Sequence, residues 1–579
     1  MVTILRLILF GISCVGSWEL IRRKSSVHVY FLPSLTIAIQ ITFLFAAGLL
    51  NILPAAVIVL FAAGIAGVVY SIIKDRNLLF LKHYLKVGYL FLAVVSVIML
   101  IFVYGKIFAH NDNFSHWALV VKNMFLTDRY PNFLDETILF RQYPLGSASF
   151  IYYFAKVVSG SESVQMFAQI YLMITCIMPL FIFCKKHQPA AFLTVLAATN
   201  FFFVYNVSLT NLLVDTMLPL FSMCSLLYAY LYGHTMQNRL PFYGIVFYLI
   251  ALVQIKNSGL FFAGIIMLWM LIGMKRDKKV IPRLLTIAWP LFTVYLWQRH
   301  CRYVFSDAAV SKHAMSAEYY SSVIGNKTPE EIQSITGAWL RFSVSWKDIW
   351  LVFGLVVLIG IMIFLFARKD LLTYVKVALI SVVMYILYQV GLLAMYLFSM
   401  PSIEAAYLAE IERYTRTILI AVVYLVMVMA VKMISDMQRK TVSAYGITAV
   451  LIAAFCGILL GAKGQIRLAV QYTDNPQERD WIEKCMEEYQ IPYGASYLIL
   501  PSYDDGAYSY FLGMYVFGSP RVNEMVVEKE TDLDDMPYYE YIFIYDQDNR
   551  AIEDWVNKNY PEQAGNEVII RHDLIGKIY

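Results

Sequence analysis

The residues between His110 and Asn123 combine side chains that can do acid–base chemistry with side chains that can bind anions. Asp112 and His116 are four residues apart, about one turn of a helix, and Lys122 follows in the same stretch. A carboxylate held within hydrogen-bond reach of a reacting hydroxyl group can act as its general base. Aspartate is also a favoured helix N-cap, so a purely capping role for Asp112 remains an alternative.

These residues must be positioned by a helix. On a helical wheel one face is polar (Asp112, Ser115, His116, Lys122, Asn123) and the other is apolar (Phe114, Trp117, Ala118, Val121, Met124, Phe125). Such a helix is expected to lie along a membrane surface, with its apolar face in the lipid headgroup region and its polar face towards water or a protein cavity.

The composition supports a membrane setting. The 579 residues are 60% hydrophobic and 15% charged, with a mean hydropathy of +0.62, whereas soluble domains are about a quarter charged. We predict a mostly α-helical, polytopic transmembrane bundle of about fourteen spans, with interfacial helices in an extracytoplasmic loop and a small C-terminal α/β domain. The expected spans are 2–20, 30–50, 53–73, 86–108, 164–184, 188–205, 212–232, 240–256, 258–274, 281–300, 349–367, 373–398, 414–435 and 444–462.

Basic residues indicate which side of the membrane each loop faces. Clusters such as Arg22/Arg23/Lys24 and Lys185/Lys186 recur in alternate short loops, which marks those loops as cytoplasmic. The predicted helix between His110 and Asn123, the segment 301–348 and the C-terminal tail then lie on the outer side. A net charge of +5, distributed by loop in this way, does not indicate a nucleic-acid partner.

The chain divides into a membrane domain, 1–462, and an outer domain, 463–579, where charge rises and the hydrophobic patterns become short. In the outer domain, "NPQERDWIEKCMEEYQ" and "NRAIEDWVNKNY" predict surface helices, and "SYLILPS" and "YEYIFIYD" predict buried strands. Two pairs of acids, Asp135/Glu136 and Asp504/Asp505, are interpreted as surface residues.

Further ionisable residues are expected at the outer membrane level. Asp215 in "NLLVDTMLPLF" is predicted about one turn inside a span, where an unpaired carboxylate is costly and therefore indicates function. Lys256 lies at an outer helix end, and Arg413 opens a late span. The alternatives are that Lys256 only snorkels to the headgroups and that Arg413 and its neighbour Arg416 pair with nearby glutamates, Glu410 or Glu412.

The order of these motifs resembles the GT-C superfamily of integral membrane glycosyltransferases. The resemblance rests on an Asp after an early span ("NDNFSHWALVVKNMF"), a Tyr-Pro-x-Gly turn ("QYPLGSASFIYYF"), a later acid ("LLVDTMLPLF"), a Lys-x-x-Gly ("QIKNSGLFF") and an Arg-Tyr before a late span ("ERYTRTIL"). It covers the membrane portion in order, and the outer C-terminal domain also fits that architecture.

The resemblance implies transfer of a sugar from a polyprenyl-phosphate donor to an acceptor glycan, lipid or protein, with inversion. By resemblance Asp112 is the general base, while Arg413, with Lys256 as a second cation, holds the departing phosphate. The other expected substrate-binding residues are His116, Lys122, Arg141, Tyr143, Asp215, Lys312 and His313.

Two features depart from the family pattern. Asp112 is flanked by Asn111 and Asn113 instead of a second acid, and "YPLG" replaces the more usual YPPG. The first departure leaves the metal requirement open; a divalent cation, Mg²⁺ or Mn²⁺, bound by Asp112 and Asp215 is the alternative to a metal-free site. The expected location is the bacterial plasma membrane, with the active site and the C-terminal domain outside the cytoplasm.

Other classes of protein also keep a few charges in the membrane. A transporter or lipid-linked-saccharide flippase would show broken helices in matched halves and a site near the midplane. An O-antigen polymerase or ligase would place paired arginines in a large late outer loop. An inactive membrane scaffold with a partner-binding C-terminal domain is a third alternative.

Overall fold

The computed structural model describes residues 2–233, 239–277, 280–305, 317–437, 441–461 and 476–571. The described chain forms two compact units. The first contains most of the membrane domain, and the second contains the C-terminal residues together with 107–123 and 131–139. These two early segments thus belong to the same unit as the C-terminal residues. The predicted domain boundary at 462/463 falls outside the described residues and stays a prediction.

The first unit is helical. In chain order, helices α1 to α19 are Val2–Lys24, Leu32–Leu49, Leu53–Asp75, Val87–Val103, Ala118–Thr127, Gly146–Val157, Glu162–Ile177, Gln188–Tyr205, Met217–Tyr232, Arg239–Ile255, Gly259–Asp277, Val280–Val304, Ala317–Gly325, Pro329–Ser345, Lys347–Phe366, Leu371–Phe398, Ser402–Ala406, Ile411–Asp436 and Thr441–Gly461. The fifth, α5, runs from the second unit into the first. Short 3₁₀ turns lie at Val29–Phe31, Leu79–Tyr84, Met178–Phe183 and Arg368–Asp370.

The apolar segments of the sequence form helices as predicted. Within the described ranges, ten helical stretches are long and apolar enough to cross a membrane, and four apolar helices (α4, α9, α10 and α11) are shorter. Each of the expected spans coincides with one of these elements. The number that crosses the bilayer stays a prediction, because length and composition alone define the candidates.

Helix α18 forms the centre of the first unit. Its apolar stretch is 89% buried, and it packs against α8, α9, α15 and α16. Burial on all sides matches its sequence, which is apolar around the whole helix after the first two turns. The polar residues at its N-terminal end are therefore held by a rigid, central element.

Among its described residues, the second unit contains a four-stranded sheet and four further helices. Helices α20 to α23 are Pro476–Glu488, Tyr508–Phe517, Glu530–Asp534 and Arg550–Asn559, and strands β1 to β4 are Tyr497–Leu500, Val522–Glu524, Tyr541–Ile544 and Val568–Ile570. The predicted surface helices and buried strands are confirmed as α20, α23, β1 and β3. The order is β2-β1-β3-β4, with β1 parallel to β2 and β3, and β4 antiparallel to β3.

The alternation of side chains in the strands gives the sheet two covered faces. Leu498, Leu500 and Ile542 pack on one face with Trp555 of α23. On the other face Tyr497 stacks on Phe517 of α21, with ring centroids 4.0 Å apart. Helix α21 therefore packs on this second face of the sheet.

Candidate functional site

Asp215, which is buried, and Lys256, which is partly buried, form an ion pair in the first unit. The Lys256 ammonium donates to Asp215 Oδ1 at 2.9 Å, and the two side chains are 18% and 5% exposed. Two charges removed from water in this way require each other, because either one alone would be uncompensated. The prediction that Asp215 lies inside a span is wrong in detail, since it precedes α9, which begins at Met217.

Tyr414 connects this pair to Arg413. The Lys256 ammonium lies 5.4 Å from the centre of the Tyr414 ring, and the Arg413 guanidinium carbon lies 5.5 Å from the same centre. Both distances are within the range of a cation–π interaction. The first unit thus brings together Asp215, Lys256 and Arg413, three of the residues predicted from separate segments of the sequence.

The arginines of α18 have different partners. Arg413 pairs with Glu410 at 3.2 Å, and the Glu410 side chain is 54% exposed. Arg416 pairs with Asp348 at 3.2 Å, where the side chains are only 8% and 2% exposed, and also with Glu412. The predicted pairing with Glu410 and Glu412 is thus confirmed. Water can compensate Glu410, so Arg413 can exchange its partner, whereas Arg416 is fixed by a buried carboxylate.

Close helix contacts fix the end of α10 that carries Lys256. A Cβ added at Gly146, the glycine of the "YPLG" turn, would lie 2.6 Å from the carbonyl oxygen of Gln254. A Cβ at Gly259 would lie 2.3 Å from the carbonyl oxygen of Leu252. Only glycine permits these approaches, so both motif glycines position Lys256. On the other side of the ion pair, Thr417 and Asn206 donate to the backbone carbonyl of Asp215 at 3.1 and 3.3 Å.

In the second unit, Asp112 is half-buried at the start of an irregular helix. Its amide donates to Nδ1 of His110 at 3.1 Å, and Asn113–Trp117 form a π-helical turn before α5. A π-helical turn widens the backbone spiral, and such turns occur frequently at functional sites. The Asp112 side chain makes no hydrogen bond as an N-cap, so the simple capping interpretation does not account for it.

The two faces of this helix are not placed as predicted. Phe114 is fully buried and packs on Tyr508 and Tyr515 of α21, with ring centroids 5.8 and 5.1 Å apart. Within the second unit the apolar face therefore contacts protein, which corrects the expectation of a lipid-facing surface. On the polar face His116 is also buried, at 4% exposed, and its ring packs edge-on against Trp117 at 4.9 Å.

Lys122 and Asn123 have structural partners in the second unit. The Lys122 ammonium donates to the Tyr515 carbonyl at 2.6 Å and lies 4.5 Å from that ring centre. Asn123 donates to Asp135 at 2.8 Å, and the Asn132 amide donates to the other Asp135 oxygen at 2.7 Å. Asp135 is therefore a buried acceptor, and its interpretation as a surface acid is wrong. The predicted substrate role of Lys122 is not needed to explain its position.

Of the remaining predicted residues, Arg141 and Tyr143 pack against aromatic rings of the first unit. The Arg141 guanidinium carbon lies 5.4 Å from the ring centre of Phe305, and the Tyr143 ring packs against Phe140 at 5.4 Å. Lys312 and His313 lie outside the described residues. Among the residues that the structure describes, no group of three or more His, Cys, Asp or Glu side chains is arranged to hold a metal ion, and the metal requirement stays open.

Sequence reasoning missed residues that now appear at the site. The sequence marks Tyr414 only through the Arg-Tyr motif, although its ring lies next to two cations, Lys256 and Arg413. The contact of α21 with the segment 107–123 had no local signal, because it joins residues almost 400 positions apart. No protein-family model, curated protein or solved structure matches this chain.

Proposed function

We propose that this protein is an integral membrane glycosyltransferase that moves a sugar from a polyprenyl-phosphate donor to an acceptor on the outer side of a bacterial plasma membrane. The observation that carries the proposal is the grouping of Asp215, Lys256 and Arg413 around Tyr414. These residues come from three of the motifs on which the resemblance to the GT-C superfamily rests. Charged residues kept together in an apolar helical unit are by default functional.

Arg413 is the proposed clamp for the donor phosphate. Negative charge builds up on the phosphate as the sugar leaves, so a fixed cation stabilises the transition state more than the ground state. The planar guanidinium can hold two phosphate oxygens at once. Glu410, its present partner, is half-exposed, so a phosphate can replace it at small cost.

Lys256 is the second proposed cation, and Asp215 determines how it is used. The ion pair holds the Lys256 ammonium at a fixed place next to Tyr414. The Asp215 carboxylate neutralises most of the positive charge of Lys256. Lys256 therefore positions the donor phosphate more than it attracts it. The Asp215 carboxylate can also accept a hydrogen bond from a hydroxyl group of the sugar or the acceptor. This is the substrate-binding role proposed for Asp215.

Asp112 is the proposed general base. In the reaction, an acceptor hydroxyl group attacks the anomeric carbon, its proton passes to the Asp112 carboxylate, and the lipid phosphate leaves from the opposite face, which inverts the configuration. The half-buried carboxylate next to a π-helical turn supports this role. His116, one turn further on, is proposed to orient the carboxylate or contact the sugar.

The proposal is tested in cells that lack the protein. Surface polysaccharides, lipids and glycoproteins are compared by mass spectrometry with those of the parent cells, and one sugar is expected to be missing. The gene for the wild-type chain should restore it, and so should Asp554→Asn, which changes an exposed acid on α23. Asp112→Asn should not restore it, at an equal level of folded protein.

Two outcomes would contradict the proposal. Unchanged glycans in the deletion cells would remove the sugar-transfer function. Full restoration by Asp112→Asn would remove the general base and favour a transporter or flippase, which would move its substrate without this carboxylate.

A further inference from the structure

In the second unit two side chains form a grip, a pair of hydrogen bonds to the backbone directly before Asp112. The Arg479 guanidinium of α20 donates to the Phe108 carbonyl at 2.7 Å. The Tyr508 hydroxyl group of α21 donates to the Ala109 carbonyl at 3.1 Å. Both carbonyls lie in the non-helical stretch 106–110, and each accepts one of these side-chain hydrogen bonds.

Helix α21 also contacts the residues that follow Asp112 in the sequence. Phe114 packs on Tyr508 and Tyr515, and Lys122 donates to the Tyr515 carbonyl. The Arg479 guanidinium carbon lies 5.9 Å from the ring centre of Phe114 and 5.3 Å from that of Tyr515. Asp112 is therefore enclosed, in sequence, between contacts to α21 on both sides.

Three carboxyl groups surround the N-terminal end of α21. Asp505 accepts from the amides of Tyr508 and Ser509 at 2.8 and 3.1 Å. Glu524 of β2 accepts from the Tyr510 amide at 2.9 Å. The Ser509 hydroxyl group bonds to Asp505 at 2.6 Å and also to Glu478 of α20. The carboxyl groups thus tie α20, α21 and β2 together at one point.

We propose that Arg479 and Tyr508 are positioning residues for Asp112, and that the three carboxyl groups at the start of α21 make this grip depend on pH. Each gripping residue is the sequence neighbour of a carboxyl group or its partner: Arg479 follows Glu478, and Tyr508 precedes Ser509, whose hydroxyl group bonds to Asp505 and Glu478. Any separation of α20 from α21 at the cluster therefore moves both grips. The inference rests on the proposed function of Asp112.

The direction of the pH dependence follows from burial and like charge. Burial raises the pKa of Glu478 to about 7, with the charge of Asp505 adding to it. Burial also raises the pKa of Glu524 to about 7, again with a contribution from Asp505. Below neutral pH Glu478 and Glu524 keep their protons and share hydrogen bonds with their neighbours. Above neutral pH three negative charges repel one another across the contact between the helices.

The other charged groups around the cluster do not remove this repulsion. Arg479 follows Glu478 in the sequence, and its guanidinium donates to the Phe108 carbonyl and pairs with Glu483 at 2.8 Å. Lys122 is at the opposite end of α21, at Tyr515. In the segment 107–123, His110 accepts the Asp112 amide through Nδ1. Asp504, next to Asp505, is exposed and would add negative charge.

The grip is tested by amide hydrogen exchange on the full chain in lipid nanodiscs, followed by mass spectrometry of peptides from 107–123. Tyr508→Phe removes one hydrogen bond, and exchange in 107–112 should become about two- to tenfold faster. The matched control, Tyr510→Phe, takes a hydroxyl group from the same helix and should leave this exchange unchanged. An equal effect of both variants, or no effect of Tyr508→Phe, would overturn the positioning role.

The pH dependence is tested with Glu478→Gln, which keeps a hydrogen-bonding side chain without a titrating proton. In the wild type, exchange in 107–123, corrected for intrinsic chemistry, should accelerate between pH 6 and 8, and Glu478→Gln should flatten this change. Identical pH profiles for the two proteins would overturn the carboxyl cluster as the sensor. These readouts do not depend on sugar transfer.

Transfer assays complete the test. If Asp112 is the base, Tyr508→Phe should lower the turnover number and leave the donor KM nearly unchanged, and Glu478→Gln should alter the alkaline side of the pH–rate profile. A positive exchange result with no sugar transfer by the wild type would refute the proposed function alone. Normal turnover of Tyr508→Phe together with faster exchange would refute the positioning of the base.

Discussion

The two units keep carboxyl groups out of water by opposite means. In the first unit Asp215 is compensated by the Lys256 ammonium, a charge of opposite sign. In the second unit Glu478 lies beside Asp505 and Glu524, whose charges have the same sign. Protonation of Glu478 and Glu524, whose pKa values are raised to about 7, limits the repulsion between them. Opposite charges in a pair compensate each other, whereas a cluster of like charges responds to pH near neutrality through Glu478 and Glu524.

This difference suits two separate tasks. A fixed ion pair next to Arg413 can hold the site in a defined geometry for an anionic substrate. A cluster that gains or loses protons near neutrality can adjust the segment it supports. Removing one charge from the ion pair and one from the carboxyl cluster should therefore change the free energy of unfolding by different amounts. The two changes should also depend differently on pH.

The largest expected effect comes from breaking the buried ion pair. Lys256→Met leaves the Asp215 carboxylate buried without its cation, and should lower the free energy of unfolding by about 3–5 kcal/mol. Adding Asp215→Asn should recover much of that loss, because the unpaired charge disappears. The measurement is thermal unfolding of the purified variants in detergent; a single variant within about 1 kcal/mol of the wild type would show that the pair is not needed.

An intermediate effect is expected from the carboxyl cluster. Glu478 and Glu524 have pKa values raised from 4.5 to about 7. Their contribution to stability is therefore fully present below about pH 4.5 and is lost as the pH rises through about 7. Unfolding of the wild type and Glu478→Gln, compared from pH 5 to 8.5, should show the variant becoming relatively more stable as the pH rises. A constant difference would contradict the like-charge account.

The smallest effect on stability is expected at Arg413. Its partner Glu410 is half-exposed, so Arg413→Gln should cost less than about 1 kcal/mol of unfolding free energy. The same substitution removes the proposed phosphate clamp and should lower sugar transfer strongly. Arg416→Gln, with buried Asp348 as partner, should instead destabilise the protein. Equal stability losses for the two arginines would erase the distinction between them.

Much of the first unit could be predicted from the sequence. Hydropathy located the apolar helices, because their length and composition carry the signal by themselves. Asp215, Lys256 and Arg413 stood out since charges are rare in such segments, and the fold brings them together. The shared ring of Tyr414 could not be inferred, because aromatic residues are too abundant in this chain to single out one.

The second unit was less predictable, for physical reasons. An amphipathic helix shows which face is buried but not whether lipid or protein covers it, so the packing of Phe114 on α21 was missed. The burial of Asp135 could not be predicted, because it depends on hydrogen bonds from the Asn123 side chain and the Asn132 amide that form only in the folded chain. The grip on Phe108 joins residues 371 positions apart, which no local pattern records.

Sugar transfer by purified protein tests the central claim most directly. The donor is a synthetic short-chain polyprenyl phosphate carrying the sugar found missing from deletion cells, and the acceptor is a membrane extract of those cells. Asp112→Asn should slow transfer by about 10²–10⁴-fold, the usual contribution of a general base, with donor binding intact and Asp554→Asn as active as the wild type. Transfer by Asp112→Asn at the wild-type rate would contradict the account.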